Sequence, residues 1–179
     1  MMDSNTTQGA LYAPDNKTQL IVIKGKGNSG KTTTCWLILF DLISKGATID
    51  AINRDSFEGE VITNIPSIPQ KYDFYAELKW NNKLIVIYSL GDIPGPVDVM
   101  LQHALPMHPD YIICTCRTQR RMGSTWQFFE NTYTNIIYRR VCVWSEYSLH
   151  PDDKYDVKRP MIEMIVKSMM YAEKLCERH

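Results

Sequence analysis

One short stretch near the beginning of the chain combines residue types and spacing that suit phosphate binding. Residues 25–32 read Gly-Lys-Gly-Asn-Ser-Gly-Lys-Thr, the pattern G-x-x-x-x-G-K-T. Gly25 and Gly30 allow backbone angles closed to other residues, so successive N–H groups can surround an anion. Lys31 would reach the outer phosphates as a mobile positive charge, and the Thr32 hydroxyl would bind Mg²⁺. The stretch therefore predicts a site for a phosphate compound and its metal ion.

The neighbouring sequence supports this interpretation over a chance glycine turn. An apolar run, residues 20–23, precedes the glycines, and an apolar-rich segment, residues 33–45, follows them. This is the order strand, loop, helix, in which the positive end of a helix dipole adds to the attraction for an anion. In that context residues 25–32 resemble the Walker A motif of the P-loop NTPase superfamily. With weaker similarity around 89–92 and 116–118, the chain resembles small bacterial ATP-binding P-loop proteins that have no assigned reaction.

The resemblance implies a fold, a ligand and a set of contacts. The fold would be a three-layer P-loop NTPase fold, α/β in class, with a mostly parallel five-stranded sheet and one added antiparallel hairpin strand. The ligands would be ATP and Mg²⁺. The nucleotide-binding residues would be Gly25, Lys26, Gly27, Asn28, Ser29, Gly30, Lys31, Thr32 and Thr33. The chain has no Asn-Lys-x-Asp string, the guanine-reading element of GTPases, so ATP is the expected nucleotide.

A P-loop protein also needs a carboxylate that supports the metal through its water shell. The predicted strand Lys83–Tyr88 has no acid at its end, but Asp92 follows in Ser89-Leu90-Gly91-Asp92. We expect Gly91 to turn Asp92 toward Thr32, so that Thr32 and Asp92 hold the metal; Ser89 is a further candidate ligand. The alternative is that Asp92 caps the next turn. Asp55, after the second predicted strand, is the other candidate carboxylate or a solvated loop acid.

Three arginines follow the predicted strand Tyr111–Cys116. Arg117, Arg120 and Arg121 would lie at the carboxyl end of that strand, the ligand side of such sheets. A guanidinium there would stabilise the charge that spreads over a transferred phosphoryl group. Lys31, Asp92, Arg117 and Arg121 are therefore the candidate catalytic residues. A basic solvated loop or a nucleic-acid contact patch are the alternatives.

Lys26 raises a separate possibility. A second lysine in this position resembles the deviant P-loop of partitioning ATPases, where it crosses a dimer interface. Asn28 departs from that family, which has glycine there, and the chain lacks its strand-end aspartate. We favour the alternative that Lys26 occupies a free position.

Length, charge and cysteine content restrict the class of protein. The chain has 179 residues and a formal net charge of +0, so we expect one domain without a global attraction to nucleic acid or membrane. Residues 1–16 predict a flexible arm, and residues 17–179 a single nucleotide-binding domain. Five cysteines, mostly inside apolar runs, predict reduced, buried thiols and a cytoplasmic protein. No apolar run is long enough to span a membrane.

The pattern of apolar runs predicts strands and helices that alternate. Asn81-Asn82 is a tight turn signal between two predicted strands, Tyr72–Trp80 and Lys83–Tyr88. The segment from Lys158 to Glu177 predicts a last helix. The expected function is phosphoryl transfer from ATP to a small-molecule acceptor, as in nucleotide kinases. The alternative is a nucleotide-dependent switch or slow ATPase that acts through a protein partner or a homodimer, and a degenerate binding site is a third possibility.

Overall fold

The computed structural model describes residues 18–25, 27–117, 123–132, 139–144 and 159–169. The predicted arm, residues 1–16, lies outside this part of the chain. Within it the strands and helices follow one another as β1 (Gln19–Gly25), α1 (Lys31–Ser44), β2 (Thr48–Arg54), β3 (Phe74–Trp80), β4 (Lys83–Tyr88), α2 (Pro94–Ala104), a 3-10 turn (Leu105–Met107), β5 (Tyr111–Arg117), α3 (Thr125–Thr132) and β6 (Arg139–Trp144). A last helix, α4, occupies residues 159–169, inside the predicted C-terminal helix.

The strands form one mixed sheet in the order β2-β3-β4-β5-β1-β6. β1 pairs in parallel with β5 and β6, and β4 pairs in parallel with β5. β3 is antiparallel to both of its neighbours, β2 and β4. The α/β class is confirmed. The predicted mostly parallel P-loop NTPase sheet with one added antiparallel hairpin strand is wrong, because β3 lies inside the sheet and β2 joins it only through an antiparallel ladder.

The tight turn between β3 and β4 explains this arrangement. Asn81 and Asn82 both have positive φ angles, 48° and 59°, which asparagine tolerates better than most residues. Positive angles at both central residues match the twist of a two-residue hairpin, so β3 must lie directly beside β4. The turn prediction is confirmed, although β3 begins at Phe74 rather than at Tyr72.

Both faces of the sheet are covered, which explains the consecutive apolar residues of β1. Ile21 and Ile23 point into a core shared with α1 and α4, whereas Leu20 and Val22 point into a second core shared with α2 and α3. Successive side chains of a strand point to opposite faces, so a strand with a core on each face needs no polar alternation. β1 therefore lies in the interior and holds the glycine loop rigidly at its end.

Helix α1 buries its apolar residues within this chain. Trp36, Ile38, Leu39 and Leu42 are fully buried, and the helix also carries partly buried apolar residues packed against the same core: Leu37, Phe40 and Ile43. None of the large exposed apolar side chains found among the described residues lies on α1. The apolar character of the helix is thus explained by packing, without a partner molecule.

Two further predictions concern the membrane and the thiols. Among the described residues, no helix has the length and apolar character needed to cross a membrane. Cys35, Cys114 and Cys116 are buried and form no disulfide, as predicted, and burial raises the pKa of the Cys114 thiol well above its usual range. The side chain of Cys142 and the whole of Cys176 lie outside the described part of the chain.

Candidate phosphate-binding site

The glycine loop, residues 25–32, links the end of β1 to the beginning of α1. Gly25 is the last residue of β1 and Lys31 is the first of α1. Gly30 has a left-handed conformation, with φ 78°, and Asn28 has φ 57°. Gly27 has open space around the position where a Cβ would lie. A backbone with left-handed residues at this position turns its N–H groups toward one side, as an anion-binding concavity requires.

Lys31 lies at a position where a positive charge is unfavourable unless an anion is nearby. Its ammonium Nζ is 3.3 Å from the carbonyl oxygen of Gly25, so the side chain folds back over the loop. The residue is buried, and the first turn of α1 contains no acidic residue. Because the amino end of a helix carries partial positive charge, a buried lysine there requires an anion from elsewhere in the fold or from a ligand.

Asp92 supplies a negative charge at this position. Its Oδ1 lies 3.3 Å from Lys31 Nζ, and its Oδ2 accepts a hydrogen bond of 2.9 Å from Arg117 Nε. The structure therefore brings three of the four predicted catalytic residues together around one carboxylate. The fourth, Arg121, lies outside the described residues, as do Arg120 and Lys26.

The position of Asp92 is fixed by a close approach between two neighbouring strands. Gly91 N donates to Thr115 Oγ1 at 3.0 Å, and Thr115 Oγ1 donates to the Ser89 carbonyl at 2.6 Å. A Cβ on Gly91 would lie 1.5 Å from the Thr115 carbonyl oxygen, so only glycine fits. The chain after β4 is thereby held against β5, and Asp92 follows directly between Lys31 and Arg117.

Thr32 contacts a different carboxylate from the one that we predicted. Its hydroxyl donates to Asp73 Oδ1 at 2.7 Å, whereas Asp92 binds Lys31 and Arg117. The buried Ser89 hydroxyl also donates to Asp73 Oδ1, at 2.9 Å, and accepts a hydrogen bond from Phe74 N. The prediction that Asp92 faces Thr32 is thus not what the geometry shows, and Ser89 lies beside the carboxylate that Thr32 contacts instead.

Asp73 reaches this edge because β3 runs against β4. The amino end of β3 lies beside the carboxyl end of β4, so a residue just before β3 joins the loops that follow β1, β4 and β5. Its chain neighbours are held on α1: the Trp36 ring lies 4.1 Å from the Phe74 ring, and Trp36 Nε1 donates to the Tyr72 carbonyl at 3.4 Å. Sequence reasoning missed Asp73 because it lay inside the predicted strand Tyr72–Trp80.

Asp55 is close to this group but takes no part in it through its side chain. Its backbone N–H donates to the Asp73 carbonyl at 2.8 Å. Its carboxylate is exposed, and Oδ2 lies 3.8 Å from Arg54 Nε. Asp55 has φ 64°, so the chain reverses direction there on leaving β2. The geometry thus favours Asp73 over Asp55 as the carboxylate beside Thr32.

The oxygen atoms at this edge suit a magnesium ion. Thr32, Asp73 and Ser89 bring two hydroxyls and a carboxylate together, and Asp73 Oδ2 makes no hydrogen bond to a described residue. Mg²⁺ prefers such oxygen ligands, of which the protein commonly supplies one or two while phosphates and water supply the rest. In the described ranges no cluster of three or more His, Cys, Asp or Glu side chains could hold a metal ion by itself.

One aromatic hydroxyl near the site is electrostatically affected by it. Tyr88, the last residue of β4, is buried below Ser89. Burial raises the pKa of the Tyr88 hydroxyl to about 12, and electrostatic interactions with Asp73, Cys114 and Asp55 act in the same direction. Tyr88 is therefore a neutral side chain at physiological pH.

Comparison with family models, with curated proteins and with solved structures finds no match to this chain.

Proposed function

We propose that this chain binds ATP with Mg²⁺ at the glycine loop and transfers a phosphoryl group to a small-molecule acceptor. The observation that carries the proposal is Lys31. This buried lysine begins a helix, follows a left-handed glycine and folds back over the end of a central strand. A polyanionic ligand would best compensate this arrangement, because the amino end of the helix and the lysine ammonium both attract negative charge.

Each part of the ligand has a proposed contact. The backbone N–H groups of residues 25–32 would bind the phosphates, and Lys31 would neutralise the outer two. Thr32 would bind Mg²⁺ directly, with Asp73 holding a water molecule of its shell. This assignment follows from the 2.7 Å hydrogen bond between Thr32 and Asp73. The metal would supply charge neutralisation and fix the phosphate oxygens in place.

Phosphoryl transfer requires positioning and positive charge more than covalent chemistry. Arg117 ends β5 next to the end of β1, and its side chain already lies beside the carboxylate that contacts Lys31. With Lys31 it would stabilise the charge that develops on the equatorial oxygens of the transferred group. The exposed position of Arg117 leaves room for an acceptor, which enters from the open edge of the site.

The test is calorimetric titration with ATP and with GTP, each with and without Mg²⁺. We expect ATP to bind more tightly than GTP, and Lys31→Ala to lose most of this binding. Lys45→Ala is the matched control, since Lys45 follows the opposite end of the same helix and pairs with Asp41. Equal binding of ATP by the native chain, by Lys31→Ala and by Lys45→Ala would contradict the proposal. ADP release that depends on a nucleoside, nucleotide or sugar would then identify the acceptor.

A second candidate is a nucleotide-dependent switch or slow ATPase that acts through a protein partner. One observation favours it: Ile93, which directly follows Asp92, and Val99, in the middle of α2, are 56% and 53% exposed. A change at Asp92 would alter the presentation of this apolar surface. Acceptor-independent ATP hydrolysis, with a change of mass in solution on ATP binding, would favour this candidate over a kinase. In both candidates the buried cysteines without disulfides are consistent with a cytoplasmic location.

A further inference from the structure

We infer that Asp92 acts as an internal substitute for phosphate, occupying the place between Lys31 and Arg117 that the ligand must take. The inference rests on the proposed function and adds a regulatory contact to it. Each oxygen of the Asp92 carboxylate contacts a different cation: Oδ1 is 3.3 Å from Lys31 Nζ and Oδ2 is 2.9 Å from Arg117 Nε. A phosphoryl group bridges lysine and arginine side chains in the same manner.

The burial of the Lys31 side chain and of the Asp92 oxygen beside it explains why their contact forms. The Lys31 side chain is 7% exposed, so its charge is largely removed from water and needs a partner. Asp92 Oδ1 is buried and makes no hydrogen bond, so its contact with Lys31 is a charge interaction without further support. The carboxylate therefore neutralises the loop lysine through Oδ1, while the hydrogen bond from the exposed Arg117 holds only Oδ2.

The carboxylate can leave without disturbing the fold. The hydrogen bond from Gly91 N to Thr115 holds the backbone of Gly91 against β5. It does not hold the side chain of Asp92. Ile93 is extended, with φ −124°, and exposed, and Arg117 is 57% exposed. Rotation of the Asp92 side chain is therefore sufficient to vacate the space, and the Arg117 guanidinium is then free to turn onto the incoming anion.

Competition between Asp92 and the ligand has a measurable consequence. Every binding event must first break the ion pair with Lys31, so the affinity of the native chain is lower than the cations alone would give. Asp92→Asn keeps the shape of the side chain and removes its charge. We expect this variant to bind ATP about three- to tenfold more tightly, in keeping with the strength of a partly buried ion pair.

The experiment measures ATP binding without Mg²⁺, at constant ionic strength, so that a metal-ligand role of Asp92 cannot contribute. Asp50→Asn is the control, because Asp50 also pairs with a lysine, Lys79 at 2.8 Å, but lies on the edge strand β2. The Asp50→Asn variant should bind ATP with the same affinity as the native chain. Thermal unfolding of each variant shows that the compared proteins are folded.

Arg117→Gln completes a double-mutant cycle. If Asp92 restrains Arg117, the loss of affinity caused by Arg117→Gln should be larger in the Asp92→Asn background than in the native chain. Unchanged or weaker binding by folded Asp92→Asn, with normal binding by the native chain, would overturn the inference and leave the proposed function intact. Absence of binding in both proteins would overturn the proposed function and the inference with it.

Discussion

At the scale of single residues, two aspartates lie at the site for which the sequence predicted Asp92. Asp92 neutralises the cations Lys31 and Arg117, whereas Asp73 accepts hydrogen bonds from the hydroxyls of Thr32 and Ser89. A carboxylate surrounded by cations is already neutralised and is a poor metal ligand. A carboxylate surrounded by hydroxyls retains its charge and can attract Mg²⁺. Their surroundings therefore match the anion-competing role that we propose for Asp92 and the metal-supporting role that we propose for Asp73.

This division predicts the behaviour of Asp73→Asn. The variant should bind ATP in the absence of metal like the native chain, because Asp73 contacts no cation of the loop. Its apparent Mg²⁺ affinity in the presence of ATP should fall by about 10- to 100-fold, the usual cost of losing a group that orients a metal ligand. Titration of Mg²⁺ at fixed ATP measures the change.

Asp55→Asn is the control for this prediction, since it makes the same change of charge on an exposed neighbour whose carboxylate does not contact Thr32. Equal Mg²⁺ affinities for the two variants would show that Asp73 acts only through the general negative potential of the site. A selective loss in Asp92→Asn instead would restore Asp92 as the metal-supporting carboxylate.

The glycine loop and Asp92 could be identified from the sequence and Asp73 could not, for a physical reason. The loop depends on residues 25–32, which are contiguous, so its spacing can be recognised directly. The position of Asp73 depends on β3 running against β4 and on Trp36 holding the chain on either side of it. Those contacts join residues far apart in sequence, and no local pattern specifies them.

At the scale of elements, the contact between the end of β4 and β5 positions the site. The sequence indicates that Gly91 permits a turn. The structure gives a stronger reason, because a Cβ there would lie 1.5 Å from the Thr115 carbonyl oxygen and 2.6 Å from its hydroxyl. Since backbone atoms on both sides would have to move, any side chain at Gly91 should separate the two strand ends.

Gly91→Ala should therefore destabilise the fold by about 3 kcal/mol, the range typical of overpacking at a rigid position. It should also weaken the contact of Asp92 with Lys31, since Asp92 is the next residue. Denaturant unfolding measures the first effect. Gly95→Ala in α2 is the control, because open space surrounds the position and the change should stay within about 1 kcal/mol of the native chain. Equal stability of the two variants would contradict the proposed role of the strand contact.

At the scale of the whole molecule, both faces of the sheet are buried, as the consecutive apolar residues of β1 indicate. The pairing of the strands could not be predicted in this way, because periodicity indicates which faces of a strand are covered and not which strand lies beside it. The turn Asn81-Asn82 placed β3 next to β4, but nothing local showed that β2 would pair on the other side of β3. The sequence therefore predicts that both faces of the sheet are covered, but it does not predict the order of the strands within the sheet.

The two buried tyrosines of the core against α2 make the fold sensitive to alkaline pH. Burial raises the pKa of Tyr88 to about 12, and burial together with the Glu77 hydrogen bond raises the pKa of Tyr75 well above its usual range. A raised pKa in the folded state means that the folded chain retains protons that the unfolded chain has lost. The stabilisation is complete below about pH 10 and is lost as the pH rises toward 12.

Tyr88→Phe should remove part of the loss of stability at alkaline pH. Between pH 10 and pH 12 the native chain should lose about 2 kcal/mol more stability than the variant, because the pKa rises from 10.0 to about 12 on folding. Denaturant unfolding at a series of pH values measures the difference, and the two proteins compared at pH 7 give the cost of losing the hydroxyl itself. Phenolate absorbance provides an independent check, because Tyr88 should ionise only as the core opens. Parallel stability curves for the two proteins would show that Tyr88 ionises without strain in the folded chain, and that the charges of Asp73 and Asp55 do not reach it.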